Sequence, residues 1–185
     1  ADRDNDGEPD STLSTSEFSQ GTSTQRGIRV VGQGLDAEIQ TFNGQIALED
    51  GPANVTGPAE GADDVVIAFL DDQGSTVATS DTVDTQNQFE NEDVALGDED
   101  GLLSEGPIQG FVMSPGRDGV FGDGRLESFD GREATTSALI AFIDDLEQRG
   151  LTQEQATEIL LEETLDDEGS DDLAYEKGFT FTDAD

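Results

Sequence analysis

The chain contains no cysteine, no histidine and no tryptophan. The first two absences remove disulfides, structural zinc of the Cys/His kind, thiol nucleophiles and imidazole bases. Lysine occurs once, as Lys177, beside seven scattered arginines of which only Arg26 and Arg29 lie close together. A surface so poor in clustered cations cannot grip a phosphate backbone, so nucleic acid is excluded as a general partner. Long apolar runs are missing as well. The two longest, "VVIAFL" (65–70) and "ALIAFI" (138–143), have six residues each, against the roughly 18–20 that a membrane-spanning helix needs. No direct membrane insertion is expected, and no secretory signal is visible; Ala1 suits either loss of an initiator Met or signal-peptidase cleavage.

What the chain has in abundance is negative charge: 44 Asp and Glu against 8 Lys and Arg, a formal −36 over 185 residues. Such a composition belongs either to a disordered chain or to a folded protein from near-saturated salt. Patterned apolar segments decide for the folded one. "GIRVVGQGL", "VVIAFLD", "IQGFVM" and "SALIAFIDDLEQRG" are clean runs, and ten Phe are spread along the chain. At molar salt the Debye length falls to about 3 Å, which nearly extinguishes repulsion between surface carboxylates; in dilute buffer the same charge pushes the compact state apart. The expected co-solutes are hydrated K and Na cations, with no cofactor required.

Residues 1–25 are polar and Ser/Thr-rich and read as a flexible acidic arm; residues 26–185 read as a single β-sandwich domain. Short β-type segments are predicted at Gly27–Gly32, Leu35–Phe42, Gln45–Glu49, Asp64–Leu70, Thr76–Ser80, Phe89–Leu96, Ile108–Ser114, Gly119–Phe121 and Arg125–Phe129. "FNGQ" (42–45) is an Asn-Gly hairpin signal. The stretches 50–62 and 97–107 read as loops. From about residue 135 the period changes to helical: Leu139, Phe142, Ile143 and Leu146 share one face, and Gly150 ends that helix near 149. A second helix at about 153–165 opens with Thr152 and Gln155 as a capping box. The hairpin is expected to lie on the edge or end of the sandwich. "GFTFTD" then turns Phe179 and Phe181 inward as a last strand that returns to the sheet. The fold class is mainly β, an antiparallel sandwich or barrel with a C-terminal helical hairpin before the last strand.

"DRDNDGEPDSTL" carries Asp2, Asp4, Asp6 and Gly7 at the spacing of the first half of a calcium loop, but the position of the closing bidentate Glu is Leu13 and Pro9 replaces an apolar residue. These three aspartates are the only metal candidates, for calcium, and a solvated acidic arm is the favoured reading. "GRDGVFGDGRLE" (116–127) is Gly-rich but lacks the lysine of a phosphate-binding loop, so it reads as tight-turn chemistry between two short strands. "NVT", Asn54–Thr56, is a formal N-glycosylation acceptor in a Pro/Gly-rich loop, meaningful if the protein is exported. No catalytic residue can be assigned: carboxylate pairs abound, yet aromatic platforms for a glycosidase are lacking and no base is offered to activate a Ser. The chain is expected not to be an enzyme.

The short length, the acidic start "ADRDNDGEPD" after a presumed Met, the β-rich body from Gly27 to Phe129, the late helices and the closing "GFTFTD" together resemble the smaller major capsid protein of haloarchaeal icosahedral viruses with an internal membrane, the sphaerolipovirus type. That resemblance implies a jelly-roll structural subunit that assembles by lateral β-barrel contacts at high salt. Its partners would be copies of itself and a larger sister capsid protein, and its location the virion shell, assembled in a high-salt host cytoplasm. The alternatives are an exported β-sandwich module of a haloarchaeal surface or pilus, which "NVT" favours, and a decoration protein of a tailed virus.

Overall fold

In the computed structural model, residues 33–47, 52–97, 103–122, 127–129, 131–166 and 169–182 are described. The arm of residues 1–25 and the strand expected at Gly27–Gly32 lie outside them. In chain order the elements are β1 (Gly34–Leu35), β2 (Glu38–Ile39), β3 (Gln45–Ala47), β4 (Ala53–Glu60), β5 (Asp64–Asp71), β6 (Thr76–Thr82), β7 (Gln88–Val94), β8 (Gly106–Ser114), β9 (Glu127–Ser128), β10 (Arg132–Glu133), α1 (Thr136–Gln148), α2 (Gln153–Glu162) and β11 (Leu173–Thr182).

The run "VVIAFL" shows how the layers form. It lies in β5, and every residue of it is fully buried. Successive strand residues point to opposite faces, so a strand apolar at every position must be covered on both sides. Val65, Ile67 and Phe69 enter one core cluster, together with Ile39, Val55, Phe89, Ile108, Val112 and Phe179. Val66, Ala68 and Leu70 enter the other, with Phe111, Met113, Leu139, Phe142, Ile143, Leu146 and Leu160. The first cluster lies between two sheets and the second between a sheet and the helices. The result is a three-layer body: smaller sheet, larger sheet, helical hairpin.

The larger sheet runs β3-β11-β8-β5-β6. All its neighbours are antiparallel except β3 with β11, which pair in parallel from Gln45↔Thr180 to Ala47↔Thr182. The last strand therefore returns to the interior of the sheet, as the alternation of Phe179 and Phe181 predicts. There Phe179 meets Phe69 edge to face, ring centres 5.7 Å apart. The ammonium of Lys177 donates to the carbonyl of Ile39 at 2.6 Å, tying β11 to the smaller sheet.

The smaller sheet is built on β4, which pairs with β1 and β2 along one edge and β7 along the other. This overturns the reading of 50–62 as a loop. Gly57 and Pro58 are the residues that argue against a strand in "ANVTGPAE", and the structure gives each a reason. A Cβ on Gly57 would lie 2.2 Å from the carbonyl oxygen of Asp36, so only glycine lets the link between β1 and β2 cross here. Pro58 accepts from the Asp36 N–H at 3.1 Å, and its donorless nitrogen faces the same interruption, where the ladder needs no donor.

The second helix begins where its predicted cap places it, and the first also opens on a threonine cap. Thr135 accepts from the Ala138 N–H, and Thr152 and Gln155 form the reciprocal capping box. The second helix is shorter than expected, ending at Glu162. The hairpin does not sit on an edge or end of the sandwich. It covers the outer face of the larger sheet, where the apolar side of α1 meets the β5 and β8 residues of the second cluster. Two polar ties hold it there: Thr76 Oγ1 donates to the Ile143 carbonyl at 3.3 Å and Gln153 Nε2 to the Leu70 carbonyl at 2.7 Å. Gly119–Phe121 forms no strand; it belongs to a run of turns, and Phe121 drops from it, fully buried, into the helix-side core.

Candidate functional site: the open face of the smaller sheet

Alternation along β4 sends Ala53, Val55 and Ala59 into the core between the sheets. The residues between them, Asn54 and Thr56, therefore stand on the opposite face, which no layer of the described residues covers; both are half-buried. Asn54 is held from both edges of its strand. Its carbonyl accepts from the Gln40 N–H at 2.9 Å. On the other side the pairing passes from Ala53↔Val94 to Val55↔Asn91, so β7 carries an irregularity beside Asn54. The "NVT" motif thus lies on a strand with both its polar side chains outward and Val55 anchored in the core.

Two shallow hollows meet at Asn54. One, of about 450 Å³, is lined by Gln40, Phe42, Gln45, Ile46 and Asn54 among others. The second, of about 270 Å³, is lined by Glu38, Gln40, Asn54, Thr56 and Glu90. The chemistry of this face is amides, a hydroxyl and two carboxylates around an aromatic ring. Phe42 is 79% exposed, the one large apolar side chain so exposed among the described residues. Its position follows from the hairpin signal in "FNGQ": Asn43 and Gly44 both take positive φ, 51° and 79°. Phe42 and Gln45 exchange both backbone hydrogen bonds, at 2.9 and 3.0 Å. This is the two-residue turn that Asn-Gly favours, and it presents Phe42 at the rim of the larger hollow. The Asn54 Oδ1 is buried and has no hydrogen-bond partner.

Of the residues singled out in the sequence, Asp2, Asp4 and Asp6 lie outside the described residues. The described part of the Gly-rich stretch, residues 116–122, forms turns over the segment that leads into β11. There the Arg117 N–H donates to Asp171 Oδ2 at 3.1 Å and the Gly122 N–H to Asp172 Oδ2 at 2.8 Å. Asp172 was not legible as special, because the Gly122 N–H and the Asp118 carboxylate that act on it lie some fifty positions away. It is 6% exposed, with Oδ1 buried and unpaired. Burial, and then the neighbouring Asp118 and Asp171 carboxylates, raise its carboxyl from 3.8 to about 7 against the lowering effect of the Gly122 and Ser170 hydrogen bonds. No helix of the described residues is long and apolar enough to cross a membrane.

No protein-family model matches the chain. It is 36% identical over 183 residues, 99% of its length, to a cell surface glycoprotein of Haloarcula japonica. It is 37% identical over 187 residues to the cell surface glycoprotein of Haloarcula marismortui, and 31% identical over 171 residues, 92% of its length, to that of Halobacterium salinarum. These relatives correct the expected location: proteins similar along nearly the whole chain are named for the cell surface, which overturns the virion shell. The chain spans about a fifth of the length of the curated relatives it matches, and what it resembles is that fifth of haloarchaeal cell surface glycoproteins.

Proposed function

We propose that this chain is a non-catalytic β-sandwich module of a haloarchaeal cell-surface protein, a rigid piece of an outer protein coat. The similarity to a cell surface glycoprotein over 99% of the chain carries this reading. The three-layer body supports it mechanically: one sheet is sandwiched on both faces, and the other has a polar face that no layer of the described residues covers, on which neighbours or attachments can sit. The charge supports it chemically. At −36, neighbouring copies can approach only where salt shortens the reach of their repulsion to about 3 Å at molar concentration. Hydrated cations between carboxylates then do the work that paired lysines do in ordinary interfaces.

An antibody against the module, applied to intact cells in isotonic brine and to lysed cells, tests the location. Equal labelling before and after lysis is expected; labelling only after lysis would overturn the reading. Circular dichroism across a dilution series tests the physical part. The β-spectrum and the melting temperature should fall together between molar and millimolar KCl, and a spectrum indifferent to dilution would refute the role of screening.

A further inference from the structure

We infer that Asn54 carries an N-linked glycan whose first sugars lie in the hollow beside the Phe42 ring. This rests on the surface reading above, since only an exported chain meets a glycosylating enzyme outside the cytoplasm. The chain has five asparagines, Asn5, Asn43, Asn54, Asn87 and Asn91, and only Asn54 is followed two residues later by a Ser or Thr. The intervening residue is Val, not Pro, as the acceptor motif requires.

Placement makes this more than a motif. The strand period directs the Asn54 amide and the Thr56 hydroxyl to the same open face, while Val55 is 0% exposed beneath them. The adjoining hollow, about 450 Å³, is within the range of roughly 300–1,000 Å³ that small-molecule sites occupy, enough for one or two sugar rings. Phe42 forms its aromatic wall and is 79% exposed. An aromatic face is electron-rich, so the polarised C–H groups on the apolar side of a pyranose pack against it. A covalent saccharide here would cover the exposed Phe42 ring.

The transfer balances with a phosphate-activated sugar donor and a transferase. A bond forms between Asn54 Nδ2 and the anomeric carbon, and the anomeric C–O bond to phosphate breaks. The phosphate leaves with the electron pair, and one amide proton passes to the base of the enzyme.

The test uses the protein isolated from the cell surface of the organism that makes it. Cleavage after Glu49 and Glu60 releases the peptide Asp50–Glu60, "DGPANVTGPAE", for mass spectrometry. The peptide is expected to carry a saccharide mass, which Asn54→Gln and Thr56→Ala abolish and Thr56→Ser retains. Phe42→Ala should leave the peptide modified but remove the gain in melting temperature that the glycan confers on the wild type. An unmodified Asp50–Glu60 peptide from surface material overturns the inference while leaving the module reading intact. A saccharide that persists in Asn54→Gln also overturns it, and absence of the chain from the surface sinks both.

Discussion

Two buried aspartates, Asp71 at the end of β5 and Asp172 just before β11, meet burial in opposite ways. Asp71 is 0% exposed, yet both its oxygens are engaged. Oδ1 accepts from the Gln73 and Ser75 N–H groups at 2.9 and 2.7 Å, and Oδ2 from the Ser104 N–H at 2.9 Å. Three backbone donors replace the water that the carboxylate gave up, and in return the carboxylate fixes the β5–β6 turn and the approach to β8. Asp172 is nearly as buried but its Oδ1 has no partner, and two like charges stand nearby. The first carboxylate has a donor for each oxygen, while at the second burial and like charges oppose the charged form. Burial alone does not set the behaviour of a carboxylate; the count of donors aimed at it does.

The comparison can be broken most directly at Asp71. Asp71→Asn keeps the shape but turns an acceptor into a donor against backbone N–H groups. Charge-assisted hydrogen bonds contribute about 1.5–3 kcal/mol each, so a loss of about 3 kcal/mol is expected, read as a fall of roughly 10 °C in melting temperature in molar KCl. A change of under 1 °C would mean that the three donors find other partners.

At Asp172 the sign reverses. Its folded carboxyl titrates at about 7 against an ordinary 3.8, so between those values the folded state holds more protons than the unfolded one. Its stabilising contribution is present below about 3.8 and is lost as the pH rises through about 7. Melting temperatures measured from pH 5 to 8 at constant KCl should therefore decline in the wild type. In Asp172→Asn that part of the decline should vanish, leaving the variant at least as stable at pH 8. A variant that tracks the wild type at every pH would contradict the assignment.

Asp118→Asn sharpens the same point with a smaller effect. It removes one of the two like charges that raise Asp172, so the pH at which the decline levels off should move below about 7. The smallest effect belongs to Arg117→Gln. The ion pair of Arg117 with Asp171, 3.4 Å long, has an arginine side chain that is 61% exposed. Such surface pairs contribute about 0–1 kcal/mol and less in salt, so a melting temperature within about 2 °C of wild type is expected.

The strands that could be read from the chain were those whose pattern has one explanation. Six consecutive apolar residues in β5, the Phe alternation of β11, the Asn-Gly turn after Phe42, the apolar period of α1 and the capping box of α2 all appear where local chemistry places them. β4 was missed because its sequence argues locally for a turn. Gly57 is required by a carbonyl of Asp36, twenty-one positions earlier, and Pro58 is tolerated because its neighbouring strand breaks opposite it. With β4 hidden, the outward placement of Asn54 and its nearness to Phe42 were hidden too, although the motif itself was plain. Gly119–Phe121 failed in the other direction: one buried Phe in a turn imitates a short strand.

Composition settled the solvent: a chain with 44 acidic and 8 basic residues is shaped for strong salt, and its local periodicities specified a β-rich body with a late helical hairpin. Which face each layer covers was decided only on folding, because a period marks a residue as inward without naming what it will meet. The placing of Asn54 and Phe42 around one hollow, and the bond of Asp172 to the turn at Gly122, depend on how separate segments come together, which is settled only once the sheets have closed.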